Sequence, residues 1–149
     1  MRICYLLFVA SFMLASLGCS QSDYAYMKEG QSYATQIVRS VGWQWKAGEL
    51  ISEADPRMLK AFPESEIEKM MSESASALGT LQEINPLAGA ISVDSAIPGK
   101  SALYMYDVKG QKGRATIRGK LQKQEQAWKI LGFWVQINTG ASSSTSSKH

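Results

Sequence analysis

The stretch RATIRGKLQ, residues 114–122, decides the fold class because its side chains alternate between apolar and polar. In an extended chain, Ala115, Ile117 and Leu121 fall on one face, whereas the basic and polar residues fall on the other. This alternation is typical of an antiparallel strand with one buried face and one face in water. The stretch therefore predicts a sheet that is covered on one side only.

The segments on both sides of this stretch extend the predicted sheet. Residues 102–108 are rich in β-forming side chains, the glycines of residues 109–113 suit a hairpin loop, and residues 87–93 form a more modest first strand. Residues 128–137 are apolar on both faces, which predicts a strand at the centre of the sheet, with a bend or bulge at Gly132. We expect its faces to carry Trp128, Ile130 and Trp134 on one side and Leu131, Phe133, Val135 and Ile137 on the other.

Helical spacing dominates upstream of the strands. Residues 23–51 predict a long helix, because one stripe of side chains recurs at steps of three and four residues. The stripe consists of Tyr26, Gly30, Tyr33, Ile37, Val41 and Trp45. Trp43 and Trp45 lie two residues apart and cannot share a helix face, so one of them faces away from the stripe or the helix bends there.

Two further helices are predicted before the strands. Residues 52–61 form a short helix, because Asp55 can cap it and Pro56 suits its first turn. Residues 63–78 form the clearest helix, with glutamates near its start, where the helix dipole is positive, and Gly79 as its stop. The methionines of this helix fall on its apolar stripe, and we assign them to the core.

Helices first and antiparallel strands afterwards indicate an α+β fold for residues 24–138, with the helices packed on one face of the sheet. The order of short motifs resembles that of small exported bacterial proteins of unknown function, which are similar to the nuclear transport factor two-like (cystatin-like) superfamily. The motifs are ADP at 54–56, LGTL at 78–81, GRATI at 113–117 and WKILGF at 128–133. The resemblance implies a curved, cone-like antiparallel sheet of about four strands around a long helix, with a concave side that can hold a pocket. A fainter similarity of residues 99–137 points to cytochrome oxidase assembly factors.

The first eighteen residues have the order of a secretory signal peptide. Arg2 supplies a positive charge, residues 3–17 form an apolar run, and small residues precede Cys19. The run is shorter than the roughly 20 apolar residues that a transmembrane helix needs. We therefore predict that residues 1–18 are removed during export. Ordinary cleavage to a free soluble protein is one alternative.

The Gly18-Cys19 junction resembles a lipoprotein signal, in which the cysteine thiol is acylated and becomes the new N-terminus. Leu usually stands three residues before the cysteine and a small residue two before, whereas this chain has Ser16 and Leu17. The resemblance implies lipidation of Cys19 and a short tether over residues 19–23. It also implies a location in the bacterial cell envelope, with the body anchored to a membrane.

Composition narrows the chemistry of the exported body. Once Cys4 leaves with the signal and Cys19 takes a lipid, no thiol is left for a disulfide, a nucleophile or a thiolate metal site. The only histidine is the terminal His149, which argues against a catalytic histidine dyad or a histidine-rich metal centre. We therefore predict no metal and no cofactor. Residues 139–149 are rich in Gly, Ser and Thr and predict a disordered tail.

Charge is distributed unevenly along the chain. Residues 19–99 carry six Lys/Arg against eleven Asp/Glu, whereas residues 100–149 carry nine against two. The two halves can complement each other within one domain, and an exported chain does not normally meet nucleic acid. An alternative interpretation of the basic half is that the protein is a peripheral module that binds anionic lipid. The basic residues that would do so are Lys109, Lys112, Arg114, Arg118, Lys120 and Lys123.

Few side chains suggest a reaction. Asp107 is a candidate for catalysis, although an acid beside a hairpin is usually just solvated. Candidates for the lining of a ligand pocket are Trp45, Tyr104, Tyr106, Trp128, Phe133 and Trp134. The alternative is that these aromatic side chains fill the core of a small domain.

The leading functional hypothesis is a non-enzymatic envelope lipoprotein that binds a partner protein or an apolar ligand at the membrane surface, or assists assembly there. The superfamily that the chain resembles contains isomerases, dehydratases, polyketide cyclase-like enzymes and many non-catalytic domains, so the resemblance leaves the function open. The alternatives are an isomerase-like or hydrolase-like enzyme with a concave Asp/Tyr pocket, and the anionic-lipid module.

Overall fold

Within residues 19–93 and 99–139, the part of the chain that this computed structural model describes, four helices are followed by four strands. The helices are α1 (Cys19–Gln44), α2 (Ala47–Glu53), α3 (Pro56–Ala61) and α4 (Glu64–Leu78). The strands are β1 (Leu81–Val93), β2 (Lys100–Gly110), β3 (Arg114–Gln124) and β4 (Ala127–Asn138). Side chains are described within residues 23–89 and 99–139. The predicted signal peptide lies outside the described residues, as does the predicted tail beyond its first residue.

The four strands form one antiparallel sheet in the order β1-β2-β3-β4, so each strand pairs with the next one in sequence. The sheet is curled but not closed, and the helices precede it in the chain, which confirms the α+β prediction. Ala115, Ile117 and Leu121 are buried, as the alternation of residues 114–122 predicted. We call the sheet face that packs against α1 the inner face, and the opposite one the outer face.

Helix α1 begins at Cys19, so the backbone of residues 19–23, the predicted tether, is helical. The helix ends before Trp45, earlier than predicted, because the φ of that residue, +53°, lies in the left-handed region and turns the chain. The turn buries the Trp45 indole, whose N–H donates to the Gly79 carbonyl at 2.7 Å. Trp43 is 64% exposed, so the two tryptophans do face different ways.

A short extended link between α2 and α3 contacts the edge of the sheet. The Asp55 backbone N–H donates to the Ile130 carbonyl at 2.8 Å, and Ala54 forms a parallel bridge with the same residue. The Asp55 carboxylate accepts from the Arg57 backbone N–H at 2.9 Å, which confirms the predicted cap of α3. The helix predicted over residues 52–61 is shorter at its start, because this link, held by the sheet, separates it from α2.

Helix α4 and strand β1 meet at Gly79. The helix matches its prediction, and Gly79 ends it with a φ of +64°, a conformation that glycine adopts without strain. Strand β1 begins at Leu81, earlier than the predicted residues 87–93, because polar residues and Pro86 hide the strand pattern in its first half. The register with β2 shifts beside Leu87, whose side chain is exposed.

The position of strand β4 corrects one prediction. It pairs with β3 and, through the bridge from Ala54 to Ile130, with the link that precedes α3. It therefore lies at the edge of the sheet and not at the centre. Both of its faces are nevertheless apolar, because α3 and α4 pack along this edge: Phe62, just after α3, contacts Trp134 edge to face, with ring centroids 6.3 Å apart.

The faces of β4 correct a second prediction. The bulge predicted at Gly132 lies beside it, because Leu131 is an extra residue between the pairs Lys120–Gly132 and Leu121–Ile130. The extra residue inverts the alternation that follows it. As a result, Phe133 joins Trp128 and Ile130 among the buried residues, whereas Trp134 lies on the outer face and is 38% exposed.

Candidate functional site

Five of the six predicted pocket aromatics are core side chains, and one of these, Phe133, also lines the cleft described below. Trp45, Tyr104, Tyr106 and Trp128 are all buried in the cluster that α1 and the inner face of the sheet enclose. The Trp128 indole N–H donates to the Glu29 carboxylate at 3.2 Å, and the other three also have hydrogen-bond partners within the fold. These side chains therefore fill the core, which was the alternative interpretation of the aromatic set.

The two buried tyrosines tie α1 to β2. The Tyr104 hydroxyl donates to the Met27 carbonyl at 2.9 Å. The Tyr106 hydroxyl lies 3.0 Å from the Thr35 hydroxyl and donates to the Gln31 carbonyl at 3.3 Å. Burial raises the pKa of both phenols, because the charged form loses its hydration. Both groups therefore stay protonated at neutral pH and serve as hydrogen-bonding contacts between the helix and the sheet.

The catalytic candidate Asp107 does not lie in a cavity with these tyrosines. It lies on the outer face, between Asn85 of β1 and Thr116 of β3 in the register. Its carboxylate is 3.6 Å from the Arg114 guanidinium. Adjacent residues of a strand point to opposite faces, so Tyr106 and Asp107 cannot act on one substrate atom.

The buried carboxylate of the described residues is Asp55, which is 3% exposed. Its Oδ1 accepts from Arg57 Nε at 2.7 Å, and its Oδ2 accepts from Arg57 Nη2 at 3.0 Å and Gln124 Nε2 at 2.5 Å. Arg57 Nη2 also donates to the Gln122 side-chain oxygen at 2.8 Å. The hydrogen bonds from Arg57 lower the pKa of Asp55, although burial opposes them, so this carboxylate is a poor proton acceptor.

An apolar cleft lies where α3 and α4 meet the edge strand β4. We call it the edge cleft; its volume is about 190 Å³. Its lining consists of Met58, Phe62, Glu66, Ile67, Met70, Phe133 and Trp134. Met58 and Ile67 are buried and form part of the core, whereas Phe62 and Met70 are partly exposed. Of the six aromatic candidates, Phe133 and Trp134 thus do line a cleft.

The chemistry of the edge cleft is that of an apolar binding site. Glu66 is exposed and supplies its only carboxylate among the lining residues. Drug-sized ligands occupy pockets of roughly 300–1,000 Å³, which is more than this cleft provides. The space suits one large apolar side chain, and thioether side chains such as Met58 and Met70 adapt their shape to what they contact.

The pair of methionines on α4 is the sequence feature that marks this cleft. Helical periodicity alone does not show whether such a residue lies in the core or lines a cleft. Met70 and Met71 are neighbours on α4, and both belong to the stripe that we assign to the core. Met71 is buried, but Met70 lies at the border of the stripe and is partly exposed. Only the position of α3, which brings Phe62 next to Trp134, turns the border of that stripe into the wall of a cleft.

The six basic residues proposed to bind anionic lipid do not form one uniform surface. Lys109 is ion-paired with Glu83 at 2.9 Å, and Arg114 with Asp107. Lys123 is ion-paired with Glu29 of α1 at 2.7 Å. Lys112 lies in the hairpin after β2, and Arg118 and Lys120 lie on the outer face of β3.

Within the described residues, no helix has the length and apolarity required to cross a bilayer. The same residues contain no cluster of three or more His, Cys, Asp or Glu side chains arranged to hold a metal ion. In comparisons with known families and with curated proteins, the chain matches no family model and no curated sequence.

Proposed function

We propose that this chain is a non-catalytic envelope protein, held at a membrane by a lipid on Cys19, that binds a partner protein through the edge cleft. The observation that supports a binding role is the cleft itself, an apolar recess between α3, α4 and β4 with Phe62 and Trp134 at its opening. Aromatic and aliphatic anchors that fill such recesses dominate the affinity of many protein interfaces.

The chemistry of the partner follows from the lining and from the charges nearby. An apolar anchor side chain fits the volume of the cleft and its methionine and aromatic walls. Glu66 borders the cleft and is exposed, whereas Glu64 and Glu68, each two residues away on the same helix, lie on other faces. A partner segment with Lys or Arg beside its apolar anchor therefore complements this surface, whereas an acidic segment is repelled.

A non-catalytic role is also supported by the environments of the catalytic candidate Asp107 and of the buried carboxylate Asp55. Asp107 lies on the outer face beside Arg114, and Asp55 is occupied by hydrogen bonds from Arg57 and Gln124. A general base needs a free acceptor oxygen within reach of a substrate and a pKa near the working pH. Both oxygens of Asp55 accept hydrogen bonds and its pKa is lowered, and Asp107 shares no site with the buried tyrosines.

Methyl NMR tests the cleft directly. Within the described residues, the core lies downstream of the predicted signal, so the chain from residue 19 onward with Cys19→Ala contains that core. We expect a Lys-Leu-Lys tripeptide with blocked ends to shift the methyl signals of Met58 and Met70. The methyl of Met105, on the outer face, is the internal control and should not move. Equal shifts at Met105, or equal binding of the Glu-Leu-Glu tripeptide, would contradict the proposal.

Met70→Glu is expected to weaken binding of the basic tripeptide by at least about tenfold, because it places a charge against apolar walls. Met and Glu have similar helix propensities, and Met70 is only partly buried, so the fold should lose about 1 kcal/mol or less. Leu87→Glu is the matched control, because Leu87 is an exposed apolar residue on β1. Unchanged affinity in Met70→Glu would show that the peptide binds elsewhere.

The lipid anchor has its own test, which is independent of the cleft. Cys19→Ala in the full chain is expected to abolish the mass increase from acylation and to release the mature protein from the membrane fraction, because several buried acyl chains are needed for stable anchoring. The readouts are intact mass and membrane fractionation in a bacterial host. An unchanged mass and distribution would rule out lipidation at this cysteine.

A further inference from the structure

A second recess lies on the outer face of the sheet and shares the Trp134 indole with the edge cleft. Leu103 of β2, Arg118 and Lys120 of β3, and Trp134 of β4 line it, and its volume is about 390 Å³. We call it the outer trough. The register places Leu103 opposite Lys120 and Arg118 opposite Trp134, so the trough crosses three adjacent strands.

The aromatic wall of the outer trough is held in position by its surroundings. The six-membered ring of the Trp134 indole covers Gly132, where a Cβ atom would overlap with it. Phe62 packs against the same indole at 84°, in an edge-to-face arrangement. The indole is nevertheless 38% exposed. A glycine two residues before the tryptophan thus allows a large aromatic surface to lie close to the sheet and remain open to solvent.

The charges on the described part of the outer face favour an anion in the trough. The acidic residues there, Glu83 and Asp107, are ion-paired with Lys109 and Arg114 in the half of the sheet near the β2–β3 hairpin. Arg118 donates to the neutral Gln136 amide at 2.8 Å and lies beside Trp134 in the register. A guanidinium is well suited to bind a carboxylate or phosphate group through two parallel hydrogen bonds.

We propose that the outer trough binds an anionic glycan, a sugar polymer that bears carboxylate or phosphate groups. The C–H edges of a sugar ring carry partial positive charge and pack on the negative face of the indole, while Arg118 receives an acidic substituent. Because Arg118 pairs with Trp134 across β3 and β4, a polymer that lies across the strands can contact the indole and the guanidinium at once.

Two other occupants fit the trough less well. A bilayer surface is contacted best by aromatic side chains that project from the protein, whereas Trp134 lies close against Gly132 in a recess between long basic side chains. An acidic peptide can pair with Arg118 but has no ring face of this kind for the indole. The combination of an open aromatic surface with a cation on the neighbouring strand is what favours an acidic sugar.

A set of matched probes tests the proposal with the chain from residue 19 onward carrying Cys19→Ala. The probe is hexagalacturonate, in which each ring carries a carboxylate, and binding is measured by calorimetry at low salt. Its methyl ester has the same rings without charge, polyglutamate has the charge without rings, and vesicles of phosphatidylglycerol with phosphatidylcholine represent a bilayer. We expect binding of hexagalacturonate alone, with an affinity that falls as salt is added.

The variant Arg118→Gln is expected to weaken hexagalacturonate binding about tenfold, the loss of one charge-assisted contact. Arg39→Gln on α1 is the matched control and should leave the affinity unchanged, because Arg39 is exposed on a helix away from the trough. No binding of hexagalacturonate, equal binding of the methyl ester, polyglutamate or vesicles, or wild-type affinity in Arg118→Gln would overturn the proposal. These outcomes are independent of the edge cleft, because Arg118 does not line it.

Discussion

Asp55→Ala is expected to lower the free energy of unfolding by about 3 kcal/mol. The variant removes the cap of α3 and the hydrogen bonds that hold Arg57 and Gln124. It also leaves donors of Arg57, in α3, and of Gln124, in β3, without this acceptor. Chemical denaturation at pH 7 measures the loss, and a change below about 1 kcal/mol would mean that solvent replaces these contacts easily.

The effect of Asp55 on stability depends on pH. The pKa of Asp55 is lowered in the folded state, mainly by the hydrogen bonds from Arg57, whereas an aspartate in the unfolded chain titrates near about 4. Its contribution is therefore fully present above about pH 4 and is lost as the pH falls toward the folded-state pKa. We expect the difference in stability between wild type and Asp55→Ala to be constant from about pH 5 to 7 and to shrink below about pH 4.

Asp55→Asn separates charge from shape in the same experiment. Asparagine is also a good N-cap, so this variant should retain the helix start and lose the charge-assisted bonds. We expect a smaller loss than for alanine, about 1–2 kcal/mol at pH 7. If Asp55→Asn loses as much free energy of unfolding as Asp55→Ala at every pH, the whole effect comes from the ionic contacts. If the difference in stability between wild type and Asp55→Asn does not narrow in acid, the lowered pKa of Asp55 is contradicted.

Gly30→Ala is expected to destabilise the fold by about 2 kcal/mol, although alanine is the better helix former by about 1 kcal/mol. A Cβ atom at this position would overlap with the Tyr104 hydroxyl and lie 2.7 Å from Cη2 of Trp128. Both rings are buried and cannot move aside without disturbing the core. The Tyr104 hydroxyl would also lose its hydrogen bond to the Met27 carbonyl, which accounts for about 1 kcal/mol of this loss.

Gly48→Ala is the matched control for Gly30→Ala. Gly48 lies within α2, and a Cβ atom there would have no neighbour within 4 Å. The same substitution should therefore stabilise the protein by up to about 1 kcal/mol through helix propensity alone. We expect the melting temperature to fall in Gly30→Ala and to rise in Gly48→Ala if α1 depends on close contact with the sheet. Two shifts of the same sign would show that the helix can move away without loss.

The order of helices and strands could be predicted because it depends on local spacing. The alternation of residues 114–122 and the helical stripe of residues 63–78 each follow from one element with one buried side. Strand β4 could not be placed in the same way. Its apolar residues on both faces indicate cover on both sides, but the cover comes from α3 and α4 and not from a further strand.

The candidate sites show the same limit. A one-residue bulge at Leu131 moved Trp134 from one face to the other, and periodicity marks a glycine without showing where the extra residue falls. Phe62 and Trp134 are far apart in sequence and meet only because the link at Ala54 bonds to β4. Contacts of this kind depend on tertiary structure, which residue spacing does not encode.

The helical start of α1 at Cys19 has a consequence for reach. The first turns are joined to the body, because Lys100 binds Asp23 and the Tyr26 hydroxyl donates to the Lys100 carbonyl at 2.7 Å. With the lipid on Cys19 that we propose, the body has almost no slack and samples a thin layer above the bilayer. At 1.5 Å per residue, exposed Trp43 stands about 36 Å along the helix from the anchor. A partner in that layer would meet the body at a high local concentration.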